Sequence, residues 1–381
     1  MPLNRTEASR ILGGTLLIAG VSIGGGIASL PQATVAAGFF PTVAALLLNG
    51  SVMLMTGLFL AKLCLAFDEK VNLLTLSSHF LGKWGRWVTG GGYLLLFYSL
   101  IVAYLGGIGE SLAQLFSFSP SWIILGTSSL AFLLFLGGIR WIDRCNRLLM
   151  IGLFLTLSSL LAFGWRRVDS ALISRTEWSK VSSAFPLILT SFGFQGTVPS
   201  LVDYLGRRWS SIWKAIVLGC MIPLLVYVAW EYTVLGLLPP DSFVGESSCL
   251  VPLMKKLREP LVNRINSIFF FFIFSTSLLG VSLGLIDFLS DGLSLPAKGK
   301  ARALLLFFIF FPTTCFTLLS PHLFFSALKY GAAPAAIWIL GILPSWMMRN
   351  HLGHNSCFFY WGFSFFLLFF LYLFGQLSVV Q

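Results

Sequence analysis

Stretches of about 18 or more mostly apolar residues recur along the chain, separated by short polar connections. A helix needs about 20 residues to cross the hydrocarbon core of a bilayer. Eleven stretches meet that need: 11–37, 43–66, 88–116, 121–139, 147–165, 182–202, 213–237, 266–290, 303–319, 322–345 and 357–379. None shows the ten-residue alternation of a membrane barrel, so all are predicted to be helices. One further element stands out in the longest connection, Leu238–Asn263. There Leu250–Leu257 has its apolar residues on one face and is predicted to be a short helix at the molecule's outer mouth or an ordinary surface helix.

Charge orients these spans. Three connections, Gly38–Thr42, Ser117–Pro120 and Ser320–Pro321, carry none, and alternation puts them on one side. Of the 25 Lys and Arg residues, sixteen fall on the opposite side, eight in the two long loops of the first side, and Lys329 within a span. The richer side is predicted to be cytoplasmic. The N-terminus then lies inside and, with an odd number of spans, the C-terminus outside. The first apolar stretch runs on past residue 30 without a small-residue cleavage site. It reads as a retained span.

Composition narrows the class further. The 381 residues are 57% hydrophobic and 10% charged, against roughly 25% charged residues in a soluble domain. That balance excludes a soluble enzyme, a disordered chain and a disulfide scaffold, and leaves no room for a separate soluble domain. The net charge of +11 is accounted for by loops facing anionic lipid, so no nucleic-acid partner is expected. The six cysteines follow no metal or redox spacing, and no His, Cys or Asp cluster suggests a metal or a cofactor. The expected fold class is an all-α polytopic membrane protein.

Two spans are interrupted alike. The first reads Gly20-Val21-Ser22-Ile23-Gly24-Gly25-Gly26 and reaches Pro31; the sixth reads Ser191-Phe192-Gly193-Phe194-Gln195-Gly196-Thr197-Val198-Pro199. Each glycine weakens a helix by about 1 kcal/mol relative to Ala. Unwound backbone is tolerated at mid-membrane where it lines a cavity or is buried in protein. Glycines also serve close helix packing, but the breaks stand five spans apart. An odd number of spans per unit inverts the second unit, the pattern of an inverted-repeat transporter with its substrate between the breaks. The units would be 11–165 and 182–345, with 357–379 as an extra span in one transmembrane domain. Freed N–H groups at a half-helix start attract a carboxylate, and freed carbonyls attract an ammonium group or a cation. A zwitterionic amino acid satisfies both.

These residues resemble a known family. Ile18-Ala19-Gly20 through Gly24-Gly25-Gly26 to Leu30-Pro31 resembles the first span of the bacterial aromatic amino acid (tyrosine and tryptophan) permeases, and Leu189-Thr190-Ser191-Phe192-Gly193-Phe194-Gln195-Gly196-Thr197-Val198-Pro199-Ser200 resembles their sixth. These belong to the amino acid–polyamine–organocation superfamily. The resemblance implies a LeuT-type fold and proton-coupled uptake of an aromatic amino acid across the bacterial inner membrane. Two residues depart from it. Gln195 stands where some tyrosine permeases carry His, which removes a proton carrier from that position. Lys329 in the tenth span is unexpected.

The candidate substrate-binding residues are Gly20, Ser22, Gly24, Gly25, Gly26, Ser191, Phe192, Gly193, Phe194 and Gln195, with Tyr93 and Tyr98 as walls for an aromatic ring. Ionisable groups inside spans are functional candidates by default. Glu110, Glu231 and Lys329 share a depth zone near the outer face and form a candidate charge network, against snorkelling to the interface. Glu110, amid small residues, is the first choice for a coupling proton. If the coupling ion is sodium, Ser277 and Ser282 of the eighth span are its candidates; such hydroxyls also commonly bond their own helix. Asp203, Asp287 and Asp291 lie at inner ends near Arg207, Arg208 and Lys298, as ion pairs or an inner gate. The expected function is secondary active import of an aromatic amino acid, tyrosine before tryptophan, by proton symport with alternating access. The alternatives are a sodium-coupled permease for small neutral amino acids and a membrane-embedded lipid-modifying enzyme.

Overall fold

Helices account for nearly all of the computed structural model, which describes residues 5–69, 71–116, 118–243, 249–257, 259–293, 295, 299–319 and 326–352. The expected span at 357–379 and the connection at Ser320–Pro321 lie outside the described residues, as do Lys298 and the side chain of Asp291. The first span consists of α1 (Arg5–Ser22) and α2 (Gly26–Thr34), which meet at an angle of 53°. Then come α3 (Phe39–Leu65), α4 (Leu73–Phe116), α5 (Pro120–Leu136) and α6 (Ile139–Trp165). After the short α7 (Ser170–Ser174), the sixth span is divided into α8 (Phe185–Ser191) and α9 (Val198–Tyr204). The chain continues through α10 (Trp209–Leu237), α11 (Leu250–Leu257), α12 (Pro260–Gly292), α13 (Gly299–Leu319) and α14 (Ala327–Leu352).

Among the described residues, eight helices are long and apolar enough to cross a membrane, and the bent pair α1–α2 makes a ninth. The 17-residue α5 occupies the expected fourth position. The main departure from the sequence reading is in α4, whose residues 73–81 are helical where a loop was expected. Gly82, at φ 71° and ψ −164°, breaks this leading segment from the span. Leu73, Leu76 and Ser77 are buried, so the segment gains a packed face. The predicted helix at 250–257 forms, with Leu250, Leu253 and Leu257 buried and Lys255 and Lys256 exposed. In α14, widened turns at Ala327–Ala332 and Ile337–Ile342 flank Ala333–Ala336. Pro334 offers no N–H and crowds the preceding turn, which favours such widening.

Both divided spans end in a glycine turn. Gly38 (φ 88°) follows α2 and Gly206 (φ 64°) follows α9, a backbone region that L side chains rarely enter. Each turn carries the chain directly into a long helix, α3 or α10. An arginine anchors each region. The Arg175 guanidinium donates to the carbonyls of Val35 and Ala36 beyond α2. Arg207 donates to Asp203 Oδ1 at 3.2 Å, to Cys64 O at 2.7 Å and to Phe67 O. The inner aspartate–arginine pairing expected at Asp203 therefore forms, and it ties α9 to the end of α3.

Candidate functional site

The breaks in the first and sixth spans lie against one another. A Cβ on Gly26 would stand 2.8 Å from the Ser191 Cα, so the start of α2 can approach the end of α8 only without a side chain there. A Cβ on Gly25 would run into the ring of Tyr104, and one on Gly24 would stand 2.6 Å from Ser277 Oγ. The bare backbone at this break is filled from outside by side chains of α4 and α12. Gly25 N–H donates to Ser277 Oγ at 3.0 Å, and Ser277 is also hydrogen-bonded to Tyr104. The Tyr227 hydroxyl of α10 lies 2.5 Å from Ser22 O and 2.8 Å from Ser191 O, the last carbonyls of both half-helices. One phenol thus spans both unwound ends. The buried Ser22 Oγ has no hydrogen-bond partner among the described residues.

A cavity of about 920 Å³ opens beside these breaks. Its lining runs from Ser22, Gly24, Gly25, Gly26 and Ser191 along α4, α6 and α12 to Asn72 and Ser200. It therefore extends from the breaks toward the face of the molecule that carries the N-terminus. Three of its rings form a stack: Tyr93 lies 4.9 Å from Phe97 and 5.0 Å from Phe288, at interplanar angles of 23° and 10°. The stack spans α4 and α12 and gives the cavity an aromatic wall next to polar backbone. Asn146, Thr190 and Thr276 add amide and hydroxyl groups.

Of the sequence candidates, Gly20, Ser22, Gly24, Gly25, Gly26, Ser191, Gly193, Phe194, Tyr93 and Ser277 line this cavity. Phe192, Gln195 and Tyr98 do not. Phe192 packs edge-on against Tyr227 at 5.2 Å. The Gln195 amide donates to Met53 O and Thr56 Oγ1, while its oxygen accepts from Phe194 N–H. It is an anchor holding the sixth-span break on α3. Tyr98 reaches the other way and donates to Phe308 O of α13 at 2.8 Å. Ser282 is buried away from the cavity. Asp287, expected at an inner gate, lines it.

Of the expected Glu110–Glu231–Lys329 network, Lys329 stands apart, while Glu231 and Glu110 both act on Cys249. Lys329 sits over the Tyr330 ring, 5.1 Å from its centroid, and makes no ion pair among the described residues. Glu231 does not snorkel: it is fully buried, and its Oε2 lies 2.8 Å from Thr34 Oγ1. Glu110 is partly exposed and does not line the cavity. Tyr104, Tyr227 and Asn146 escaped the sequence reading because each is a single polar group on a long helix.

The fold is shared with solved transporters. A crystal structure of a variant of the Eremococcus coleocola manganese transporter superimposes with a TM-score of 0.66 at 13% identity, covering 100% of this chain and 89% of that one. A likeness at that identity carries the LeuT-type fold and nothing about cargo. The sequence relatives are nearer. The tryptophan-specific transport protein of Haemophilus influenzae is 30% identical, over 98% of this chain and 96% of the relative. Tyrosine-specific transport system 2 of the same organism is 29% identical, over 90% and 88%. Residues 7–381 match the tryptophan/tyrosine permease family as a whole. With its divided helices, apolar spans and match along almost its entire length, this multi-pass membrane protein belongs to the tryptophan/tyrosine permease family.

Proposed function

We propose that the protein imports an aromatic amino acid across the bacterial inner membrane by proton symport with alternating access. The observation that carries this reading is the shared wall of the cavity, with unwound backbone of two spans on one side and the Phe97–Tyr93–Phe288 stack on the other. The α-ammonium group is matched by half-helix carbonyls, and the carboxylate by N–H groups at the start of α2 and by the unpartnered Ser22 hydroxyl. Offset stacking on an aromatic wall adds about 0.5–1.5 kcal/mol beyond area burial. Tyrosine comes before tryptophan in this reading, because Asn146, Thr190 and Thr276 offer partners for a phenol hydroxyl.

The same reading divides the chain into inverted units, 11–165 and 182–345, with 357–379 as an added span. The paired glycine turns at Gly38 and Gly206 speak for it, as do the short helices after the second and seventh spans. With the basic face cytoplasmic, the N-terminus lies inside and the C-terminus outside, and the cavity is open to the cytoplasm. The test is uptake of labelled tyrosine into membrane vesicles, challenged with excess of each other amino acid. Tryptophan and phenylalanine should compete, while lysine and glutamate should not, since a charged side chain laid against the aromatic wall loses its hydration. Strong competition by lysine, or by alanine and serine without tryptophan, would reject the aromatic assignment.

A further inference from the structure

Among the described residues, Glu231 is the one carboxyl that the fold encloses completely, with 0% of its surface exposed. It lies on α10, one turn beyond Tyr227, so about 6 Å of helix separates it from the phenol that touches both breaks. Its partner Thr34 closes α2, the half of the first span that lies away from the cavity mouth.

The hydrogens at this contact can be counted. The Thr34 hydroxyl lies 2.9 Å from Leu30 O, four residues back on its own helix, and 2.8 Å from Glu231 Oε2. A hydroxyl has one proton to give and lone pairs to accept with. When Thr34 donates to Leu30 O, the bond to Glu231 needs a proton from the carboxyl. Among the described residues Glu231 Oε1 has no partner, and no salt bridge reaches either oxygen. A buried carboxylate with no cation and only a hydroxyl shared with Leu30 O is far costlier than the acid.

Among the described residues no salt bridge supplies Glu231 with a charge. Cys249, just before α11, faces Glu231, and burial pushes its thiol well above the ordinary range. It stays a neutral donor, bonded to Ala28 O of α2 at 3.4 Å. Glu110 of α4 also acts on Cys249, more weakly than Glu231 does. α2 has no titratable residue. On the elements packed against α10, Arg175 after α7 is bonded to Val35 O and Ala36 O. Arg167 at the end of α6 pairs with Glu259, and Arg166, Lys255 and Lys256 are exposed. On α1 and α3, Glu7, Arg10 and Lys62 belong to the end that carries the N-terminus.

We propose that Glu231 is the site at which the coupling proton binds, and that its neutral form is what lets α2 dock on α10. In this state Glu231 and Cys249 both hold α2, which closes the far side of the cavity. When α2 swings away, the carboxyl is exposed to water and ionises. Closing the far side again requires a proton from that side, so each closure carries one proton in with the amino acid. The proposal deepens the proton-symport reading above and rests on it.

The test uses purified protein in liposomes with labelled tyrosine, measuring both uptake driven by an imposed pH gradient and exchange against internal tyrosine. For Glu231→Gln, a neutral amide that can donate to Thr34, the expected result is loss of at least about tenfold in gradient-driven uptake, with exchange within about threefold of wild type. Gradient-driven uptake at the wild-type rate by E231Q would overturn the proposal. So would E231Q protein that is monodisperse in detergent yet has lost exchange. Thr34→Val gives a second arm: it removes the hydroxyl bonded to Glu231 Oε2, so the pH profile of gradient-driven uptake should shift, and an unmoved profile would overturn the proposal. The underlying readings fail differently. Wild-type exchange without any response to the pH gradient would remove proton symport itself, and absence of tyrosine exchange in wild type would remove the aromatic assignment.

Discussion

Replacing Gly26 by Ala puts one methyl group where the two breaks touch. Its Cβ would stand 2.8 Å from the Ser191 Cα, closer than Cβ atoms come to backbone, and Ser191 cannot move alone because it ends α8. Overpacking of this kind costs about 1–3 kcal/mol. The gain in helix propensity from Gly to Ala offsets up to about 1 kcal/mol of that. A net penalty of about 1–2 kcal/mol falls on the state in which α2 and α8 meet, which is roughly a 5- to 30-fold shift of population. Initial rates of labelled tyrosine uptake, normalised to protein in the membrane, should fall by about that factor. Gly20→Ala provides the contrast, because a Cβ there meets Met150 Cε at 3.7 Å, an ordinary contact. It should transport within about twofold of wild type. Wild-type uptake by G26A, or an equal loss in G20A, would refute the claim that close approach of the breaks constrains this position.

Ser277→Ala removes the acceptor of Gly25 N–H. An orphaned buried donor costs about 1–3 kcal/mol, so the KM for tyrosine should rise roughly tenfold, and an unchanged KM would count against a site at this break. Gln195→Ala strands Phe194 N–H inside the protein and takes a donor from Met53 O and Thr56 Oγ1. A thermal-stability measurement in detergent should record a clear loss, about 2 kcal/mol by the same reasoning, whereas unchanged stability would refute the anchoring role. Tyr93→Ala takes the middle ring from the stack and should weaken tyrosine competition about 2- to 10-fold. Tyr98→Ala, directed at Phe308 O, should leave competition unchanged; equal effects would refute the assignment of the aromatic wall.

The breaks could be read in the sequence because they violate the rules of their surroundings. Three successive glycines, or a Gly-Phe-Gln-Gly run before a proline, cannot be ordinary membrane helix, and their spacing placed them in corresponding spans. Which neighbouring side chains meet them could not be read the same way. A helix that is apolar all round gives no sign of its rotation, and α4, α10 and α12 are of that kind. Tyr93 and Tyr98, like Ser277 and Ser282, are five residues apart, about 140° around a helix. Only one member of each pair can face the breaks, and the sequence could not say which. Glu110 and Glu231 share a depth, and the small residues around Glu110 favour it in the sequence; packing against α2 and the segment before α11 encloses Glu231 instead. Gln195 misled for another reason. The tight turn Gln195–Thr197 rotates its amide onto α3, away from the cavity that its motif neighbours line.

The most direct test of the central claim is a structure of the protein determined with tyrosine bound. The account predicts density between Ser22–Gly26 and Ser191–Phe194, with the amino acid's carboxylate and ammonium groups on the unwound backbone and its ring against Tyr93, Phe97 and Phe288. Tyrosine bound elsewhere in the molecule, with the space between the two breaks empty at saturating concentration, would contradict it.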